Sequence, residues 1–186
     1  MYGMIHQALR DMGVRQLGEA EWAGLLRDHG HTQQLFIGME YYPDEVTMDL
    51  MGVLADRLDM SVDAFLCAFG RTWIDFAGAS AYGRILSMAG EDFVSFLDSL
   101  DRMHSSIRSN MPLADLPSFE IISVDGSSIE VRYRSSRKGL APFVQGILSA
   151  AAERFGERVA IRFRPDQDSV RFVITRLGGD GVLQHE

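Results

Sequence analysis

The hydrophobic residues follow a helical period through residues 1–110 and change to a period of two after Pro117. In the first segment the apolar positions recur at helical spacing around Ile5, and similar stripes follow in four further segments. The pattern therefore predicts a largely helical N-terminal part. The predicted helices after the first cover residues 18–30, 43–60, 61–78 and 91–110.

Residues after Pro117 alternate between apolar and polar positions, which is typical of strands with one buried face. A helical segment at 139–156, apolar on most sides, separates two pairs of predicted strands. The strands are predicted at 118–124, 127–135, 158–165 and 169–176. Asp125-Gly126 indicates a hairpin between the first two. We expect an α+β fold, in which an N-terminal helical subdomain packs on a C-terminal antiparallel sheet with one long helix.

Composition and charge narrow the class of protein. The chain has 186 residues and a net charge of −8, which argues against a nucleic-acid-binding protein. Residues 1–116 carry 17 acids and 8 bases, whereas residues 117–186 carry 9 acids and 10 bases. Cys67 is the single cysteine, so a disulfide framework and a cysteine zinc site are excluded within one chain. No apolar run approaches the ~20 residues of a membrane span, and no secretory pattern is present. We expect a soluble cytoplasmic protein.

His104 lies on the apolar stripe of the predicted helix at 91–110, four residues after Leu100 and three before Ile107. An imidazole that points into an apolar interior needs partners for its polar atoms. Spacing alone favours a core histidine bonded to backbone or to a side chain. The alternative is a ligand to a buried metal or cofactor, since neutral imidazole is a common metal ligand.

Tyr133, Ser135 and Arg137 alternate in sequence, which predicts that all three lie on one face of a strand. A phenol, a hydroxyl and a guanidinium side by side could bind an anion, and the arginine fork matches a carboxylate. The alternative is the solvated face of a strand.

Elsewhere, nucleophile elbows, phosphate-binding loops and HExxH zinc motifs are absent, so the sequence does not indicate an enzyme.

Taken together, these residues resemble the heme nitric oxide/oxygen binding (H-NOX) family, which includes the regulatory heme domain of soluble guanylate cyclase. The matching motifs run along the whole chain in the family's order. They are MYG at Met1–Gly3, AFG at Ala68–Gly70, AYG at Ala81–Gly83, FLDSLDRMH ending at His104, LPSFE at Leu116–Glu120, and YRSSR at Tyr133–Arg137, which matches the family's YxSxR.

The resemblance implies one domain over residues 1–186, with a distal helical part at 1–62 and a heme-enclosing part at 63–186 whose sheet starts at about 117. It implies a non-covalent heme b between the two parts, with His104 as the proximal iron ligand. The Tyr133, Ser135 and Arg137 row would hold the heme propionates. Ile5 and Pro117 match positions that press on the heme. The other expected pocket residues are Leu100, Gly70, Trp73, Phe143 and Ile147, and Gly70 is expected to allow the close approach of something flat.

The chain departs from oxygen-binding members of the family on the distal side. Those members carry a distal Tyr on the helix after YxSxR, where this sequence aligns either Pro142 or Phe143. Neither side chain donates a hydrogen bond, although the indole of Trp73 could. The cysteine zinc cluster that some members carry is also missing.

The resemblance implies a stand-alone, bacterial-type gas sensor that binds nitric oxide, and CO more weakly, at ferrous heme. The length leaves no room for an output domain, so we expect a separate partner, either a sensor histidine kinase or a cyclic-dinucleotide enzyme. In this family nitric oxide breaks the bond from iron to His104, which releases its helix. The alternatives are an oxygen sensor that uses Trp73 as distal donor, a heme enzyme such as a peroxidase, and a structural module.

Overall fold

The computed structural model describes residues 1–31, 35–80, 83, 90–111 and 113–178. Within these residues, five helices precede a four-stranded sheet and a sixth helix lies between its second and third strands. The helices are α1 (Gly3–Leu17), α2 (Glu19–Asp28), α3 (Asp44–Arg57), α4 (Val62–Ala79), α5 (Phe93–Asn110) and α6 (Ala141–Arg154). The strands are β1 (Ser118–Asp125), β2 (Ser128–Arg134), β3 (Val159–Asp166) and β4 (Ser169–Arg176). This order confirms the predicted α+β fold. The AYG motif lies outside the described residues except for Gly83.

Helices α1, α2, α3 and the first half of α4 share one hydrophobic core. Ser61 caps α4, and its hydroxyl accepts a hydrogen bond from the backbone N–H of Ala64 at 3.3 Å. The cap fixes where the helix starts, and the apolar positions that follow decide which of its faces is buried. Fully buried members of this core are Leu9, Leu26, Leu50, Leu54, Phe65 and Phe69.

The sheet is antiparallel throughout, with the strand order β1-β2-β4-β3. A bulge between Ile121 and Ser123 shifts the register of β1 on β2. Helix α6 packs against the inner face of the sheet and α5 packs along β1, which together enclose a second hydrophobic core. Its fully buried members include Phe93, Leu97, Ile129, Val131, Leu148, Phe172 and Ile174.

Helix α4 takes part in both cores, because Phe69 packs in the first and Ile74 in the second. It also crosses α6 at close range, with Gly70 against the backbone of Phe143. The two parts of the chain therefore meet along helices rather than through a linker. None of the helices within the described ranges has the length and hydropathy that a membrane crossing requires.

Candidate functional site: an apolar cavity with one imidazole

A large cavity lies where α1, α4, α5, α6 and the first two strands meet. Its volume is about 1430 Å³, counting the mouth that opens to solvent. Most of the lining is aliphatic, aromatic or methionine side chain, which suits a large apolar ligand. The polar side chains in the lining are Tyr2, Tyr41, His104, Asp115, Tyr133, Ser135 and Arg137.

His104 lies on α5, and its imidazole lines the cavity. Its Nδ1 lies 2.8 Å from the carbonyl oxygen of Pro117. A carbonyl only accepts, so Nδ1 carries the proton and Nε2 keeps its lone pair. Burial lowers the pKa of His104, and the bond to Pro117 opposes that shift. The ring is therefore a neutral imidazole whose only hydrogen-bond partner among the described residues is this carbonyl.

Helix α5 presents His104 to the cavity because two contacts fix the helix. Asp92 caps its start by accepting the backbone N–H of Ser95 at 2.7 Å. One turn before His104, a carboxylate oxygen of Asp101 accepts the backbone N–H of Phe119 at 2.8 Å. With the bond from His104 to Pro117, this makes a two-point attachment of α5 to the start of β1. The attachment sets the direction in which the imidazole points.

Tyr133 reaches the cavity from the inner face of β2, where it is 4% exposed and packs 5.3 Å from the ring of Phe119. Burial raises the pKa of its phenol, and a hydrogen bond with Ser135 opposes the shift. The prediction of one strand face for the whole row is wrong, because β2 ends at Arg134. The Ser135 hydroxyl accepts the backbone N–H of Arg137 at 3.1 Å, which turns the chain out of the ladder. Ser135 and Arg137 still line the cavity from this turn.

Arg137 is held at the cavity mouth by a carboxylate from the other part of the chain. Its Nε and Nη2 donate to the two oxygens of Asp44 at 2.6 and 3.2 Å, and its Nη1 donates to the carbonyl of Asp115. Asp44 also accepts from the amine of Met1 at 2.6 Å. Burial opposes ionisation of Asp44, but the bonds from Arg137 and Met1 outweigh it and hold its pKa below the ordinary value.

Asp44 is the first residue of α3, where a carboxylate is favourable in any protein. Its place in the sequence therefore indicates only the start of a helix. No local signal distinguishes a carboxylate that binds the helix terminus from one that binds Arg137, 93 residues away.

The part of the cavity wall that comes from α4 and α6 is aromatic and aliphatic. Trp73 stacks on Phe76 at 5.7 Å and lies 6.4 Å from the ring of Phe143. Among the cavity-lining residues that the structure describes on these two helices, Trp73 is the one whose side chain carries an N–H or O–H. Its indole makes no hydrogen bond with another described residue.

The cavity brings together all but one of the expected pocket residues. Its lining includes Ile5, Leu100, Trp73, Pro117, Phe143 and Ile147. Gly70 is the exception. A Cβ at that position would lie 2.0 Å from the carbonyl oxygen of Phe143, so the close neighbour is the backbone of α6. The expectation of a flat group at Gly70 is therefore wrong, because the missing side chain makes room for a helix.

Comparison with known proteins places this architecture in a family. A family model described as Haem-NO-binding matches residues 2–163, most of the chain. The chain belongs to the H-NOX family. This family comprises heme-based gas-sensor domains rather than enzymes, so the resemblance seen in the sequence is confirmed.

The curated relatives are much longer than this H-NOX chain. Soluble guanylate cyclase 89Db of Drosophila melanogaster is 26% identical over 155 residues, which cover 83% of this chain and 23% of the relative. Soluble guanylate cyclase gcy-35 of Caenorhabditis elegans is 29% identical over 162 residues, with the same shares covered. The chain thus spans about a quarter of the length of these relatives.

Solved H-NOX structures share the fold. The H-NOX protein from S. oneidensis in the Fe(II)NO ligation state has a TM-score of 0.85 and 23% identity, covering 96% of this chain and all of that one. The unliganded Fe(II) H-NOX protein from K. algicida has a TM-score of 0.83 and 20% identity, covering 97% of this chain and 99% of that one.

Proposed function

We propose that this chain is a heme-based sensor of nitric oxide that signals to a separate partner protein, with His104 as the protein ligand to iron. The proposal rests on the tautomer and the hydrogen bonding of the His104 imidazole. Nδ1 is satisfied by Pro117, and Nε2 keeps its lone pair in an apolar cavity. Histidines that bind metals usually donate their other N–H in this way, which fixes the tautomer and orients the ring.

The residues at the mouth fit the other end of a heme. Tyr133, Ser135 and Arg137 offer a phenol, a hydroxyl and a guanidinium to two propionates. Arg137 has five N–H groups, and its contacts with Asp44 and Asp115 use three of them. Two remain for a cofactor carboxylate. Cys67 does not line the cavity, which supports non-covalent heme b rather than a thioether-linked heme.

The remaining pocket residues support the shape of this site. We assign Ile5, Leu100 and Pro117 to heme contacts around the His104 side, and Trp73, Phe143 and Ile147 to the gas-binding side. When bound, heme iron supplies the position at which a diatomic gas binds. The protein residues hold the iron from one side and decide which gas is retained on the other.

Nitric oxide is favoured over oxygen by the chemistry of the α4 and α6 wall. Oxygen gains partial negative charge on binding and is retained by a hydrogen-bond donor, whereas nitric oxide needs none. Phe143 and Pro142 offer no donor, so the pocket suits nitric oxide, with weaker CO binding. Trp73 supports a second candidate, an oxygen sensor, because its indole N–H has no partner among the described residues and lines the same wall.

We further propose that residues 1–186 act as one domain, with 1–62 forming the distal helical part and 63–186 enclosing the heme. The partner is proposed to be a bacterial sensor histidine kinase or a cyclic-dinucleotide enzyme in the cytoplasm. Residues of this chain supply the link to that partner, since His104 is attached to β1 through Pro117 and through the bond from Asp101 to Phe119. Loss of the iron bond would free α5 to move with β1.

His104→Gly tests the proposal. The variant should lose heme during purification, and imidazole added during expression should restore a five-coordinate ferrous spectrum, because a free imidazole can occupy the space left by the side chain. His29→Gly, a change in an exposed turn, is the matched control and should keep its heme. A His104→Gly protein that retains the normal ferrous spectrum without imidazole would refute the assignment.

A further inference from the structure

The outer face of the sheet carries a concentration of arginine. Inner-facing residues of the strands are buried against the helices, as Val131, Tyr133 and Phe172 illustrate. The alternate residues face away from them. We call the outward set the arginine face. It consists of Arg132 and Arg134 on β2, Arg162 and Arg164 on β3, and Arg171 on β4, together with the carboxylates Glu120, Asp125, Glu130 and Asp166.

The register places three of these arginines side by side. Arg171 on β4 is directly opposite Arg132 on one neighbouring strand and Arg164 on the other. Like charges directly opposite one another destabilise a sheet. Carboxylates beside the row must therefore offset the repulsion between these arginines.

The carboxylates of the face balance only part of this charge. Glu120 is shared by Arg132 at 2.7 Å and Arg134 at 3.5 Å, and the Arg132 bond holds the pKa of Glu120 below its ordinary value. Arg171 pairs with two more carboxylates, Asp166 at 2.8 Å and Glu130 at 3.1 Å. The fourth carboxylate, Asp125, lies at the far end of β1 opposite Ser128 and is in none of these ion pairs.

Arg162 and Arg164 are exposed and form no ion pair with any described residue. Five guanidinium groups therefore face four carboxylates, which leaves a local surplus of one positive charge, and the two unpaired arginines lie together on β3. The chain as a whole has a net charge of −8. This face is a local exception that would attract an acidic surface while the rest of the molecule repels it.

We propose that the arginine face is the docking surface for an acidic segment of a partner protein. The charge complementarity selects carboxylates, which arginine binds with its planar fork. A nucleic acid is disfavoured because a surplus of one charge is small against the repulsion from a chain of net charge −8. A protein segment with a few clustered Glu or Asp side chains matches both the size and the charge of the face.

The proposal rests on the proposed gas-sensing function, because the strands that form the face also form the site. Strand β2 presents Tyr133 to the cavity, and Arg132 and Arg134 to the outside. Strand β1 starts beside Pro117, which holds His104, and it presents Glu120 outward, opposite Arg132. A shift of β1 on β2 at the site would change the spacing between Glu120 and the two arginines, and so the surface that a partner meets.

The test measures binding of a fluorescently labelled, glutamate-rich helical peptide to the full chain with its heme, by anisotropy. We expect binding that weakens as sodium chloride is raised, since exposed charges are screened. The double variant R162E/R164E should bind about tenfold more weakly, because it replaces two attractive surface contacts with repulsive ones. The matched control R15E/R27E makes the same change in net charge on α1 and α2 and should bind as the parent does.

Three results would overturn the proposal. The first is equal peptide binding by the parent and R162E/R164E. The second is an oligonucleotide of equal charge that displaces the peptide at lower concentration. The third is the same peptide affinity for the reduced protein with and without nitric oxide, which would reject the face as an output surface. The absorption spectrum of the same samples reports separately whether heme and nitric oxide bind, so failure of the proposed function is distinguishable.

Discussion

The crossing of α4 and α6 makes a sharp prediction about Gly70. A Cβ added there would lie 2.0 Å from the carbonyl oxygen of Phe143 and 3.0 Å from the backbone nitrogen of Ile147. The contact is reciprocal, because a Cβ at Gly146 would lie 2.0 Å from the carbonyl oxygen of Cys67. Both obstacles are backbone atoms within helices, so no side-chain rotation relieves them.

Gly70→Ala must therefore separate the helices. Ordinary van der Waals contact begins at 3.4 Å, so the backbones would have to move apart by about 1.4 Å. A radial gap of about 1 Å already forfeits up to half of the dispersion energy of the atoms it separates. Overpacking a core costs roughly 1–3 kcal/mol. We expect a loss near the upper end of that range, about 3 kcal/mol, because the backbone itself is displaced.

Urea unfolding followed by circular dichroism measures this loss, and Gly52→Ala is the matched control. Gly52 lies inside α3 with open space where a Cβ would be. Alanine there should raise the free energy of unfolding by about 1 kcal/mol, from helix propensity alone. We therefore expect Gly70→Ala to lower the free energy of unfolding and Gly52→Ala to raise it. If Gly70→Ala is as stable as the parent, or if both changes stabilise, the packing argument is refuted.

Three further predictions concern the cavity and the N-terminal core. Arg137→Ala removes charged hydrogen bonds worth roughly 1.5–3 kcal/mol, so heme transfer to a scavenger protein should speed up tenfold or more, and an unchanged rate would contradict the propionate assignment. Burial lowers the pKa of His6 from 6.5 to about 4. The unfolded chain then takes up a proton as the pH falls through 6.5 while the folded chain stays neutral, so stability should fall by about 3 kcal/mol between pH 6.5 and 4. His6→Gln should remove that part of the pH dependence of the free energy of unfolding, measured by urea titration. An unchanged slope of this free energy against pH would refute the role of His6. Reduced protein exposed to air should oxidise slowly and show no stable spectrum of an oxygen complex. A stable oxygen-complex spectrum that is lost in Trp73→Phe would show that the proposed selectivity for nitric oxide over oxygen is wrong.

Local periodicity was sufficient to predict the helices and strands, because each element buries one continuous apolar face. The helix at 91–110 is an example, since its stripe predicts both α5 and the inward direction of His104. The strand containing Tyr133 shows where this fails. Alternation continues through Ser135 and Arg137, but a hydrogen bond from the Arg137 backbone to the Ser135 hydroxyl ends the strand earlier. A side-chain hydroxyl that accepts a nearby backbone N–H competes with the hydrogen bonds of the sheet. The alternation of apolar and polar residues does not show this competition.

Contacts between distant residues could not be predicted from spacing. Gly70 is recognisable in the sequence as a glycine inside a helix, but whether a cofactor or another helix approaches it depends on residue 143 and its neighbours. Asp44 likewise carries a local explanation as a helix-terminal carboxylate, which concealed its bonds to Arg137. In both cases the sequence identifies the unusual residue, and the tertiary packing identifies its partner.

The attachment of α5 to β1 explains how one imidazole can influence a whole sheet. The bond from His104 to Pro117 and the bond from Asp101 to Phe119 lie one helical turn apart, so α5 cannot translate without pulling on β1 or breaking both. Strand β1 is in turn paired along its length with β2, through a register that includes Phe119 opposite Tyr133. A displacement of His104 therefore reaches β1 through two side-chain-to-backbone hydrogen bonds, and it reaches Tyr133 through the backbone ladder between β1 and β2. The two ends of the proposed heme site, its iron ligand and its propionate contacts, are joined by one antiparallel pair. A movement of either end must consequently also move the arginine face, because β1 and β2 carry both the site and part of that face.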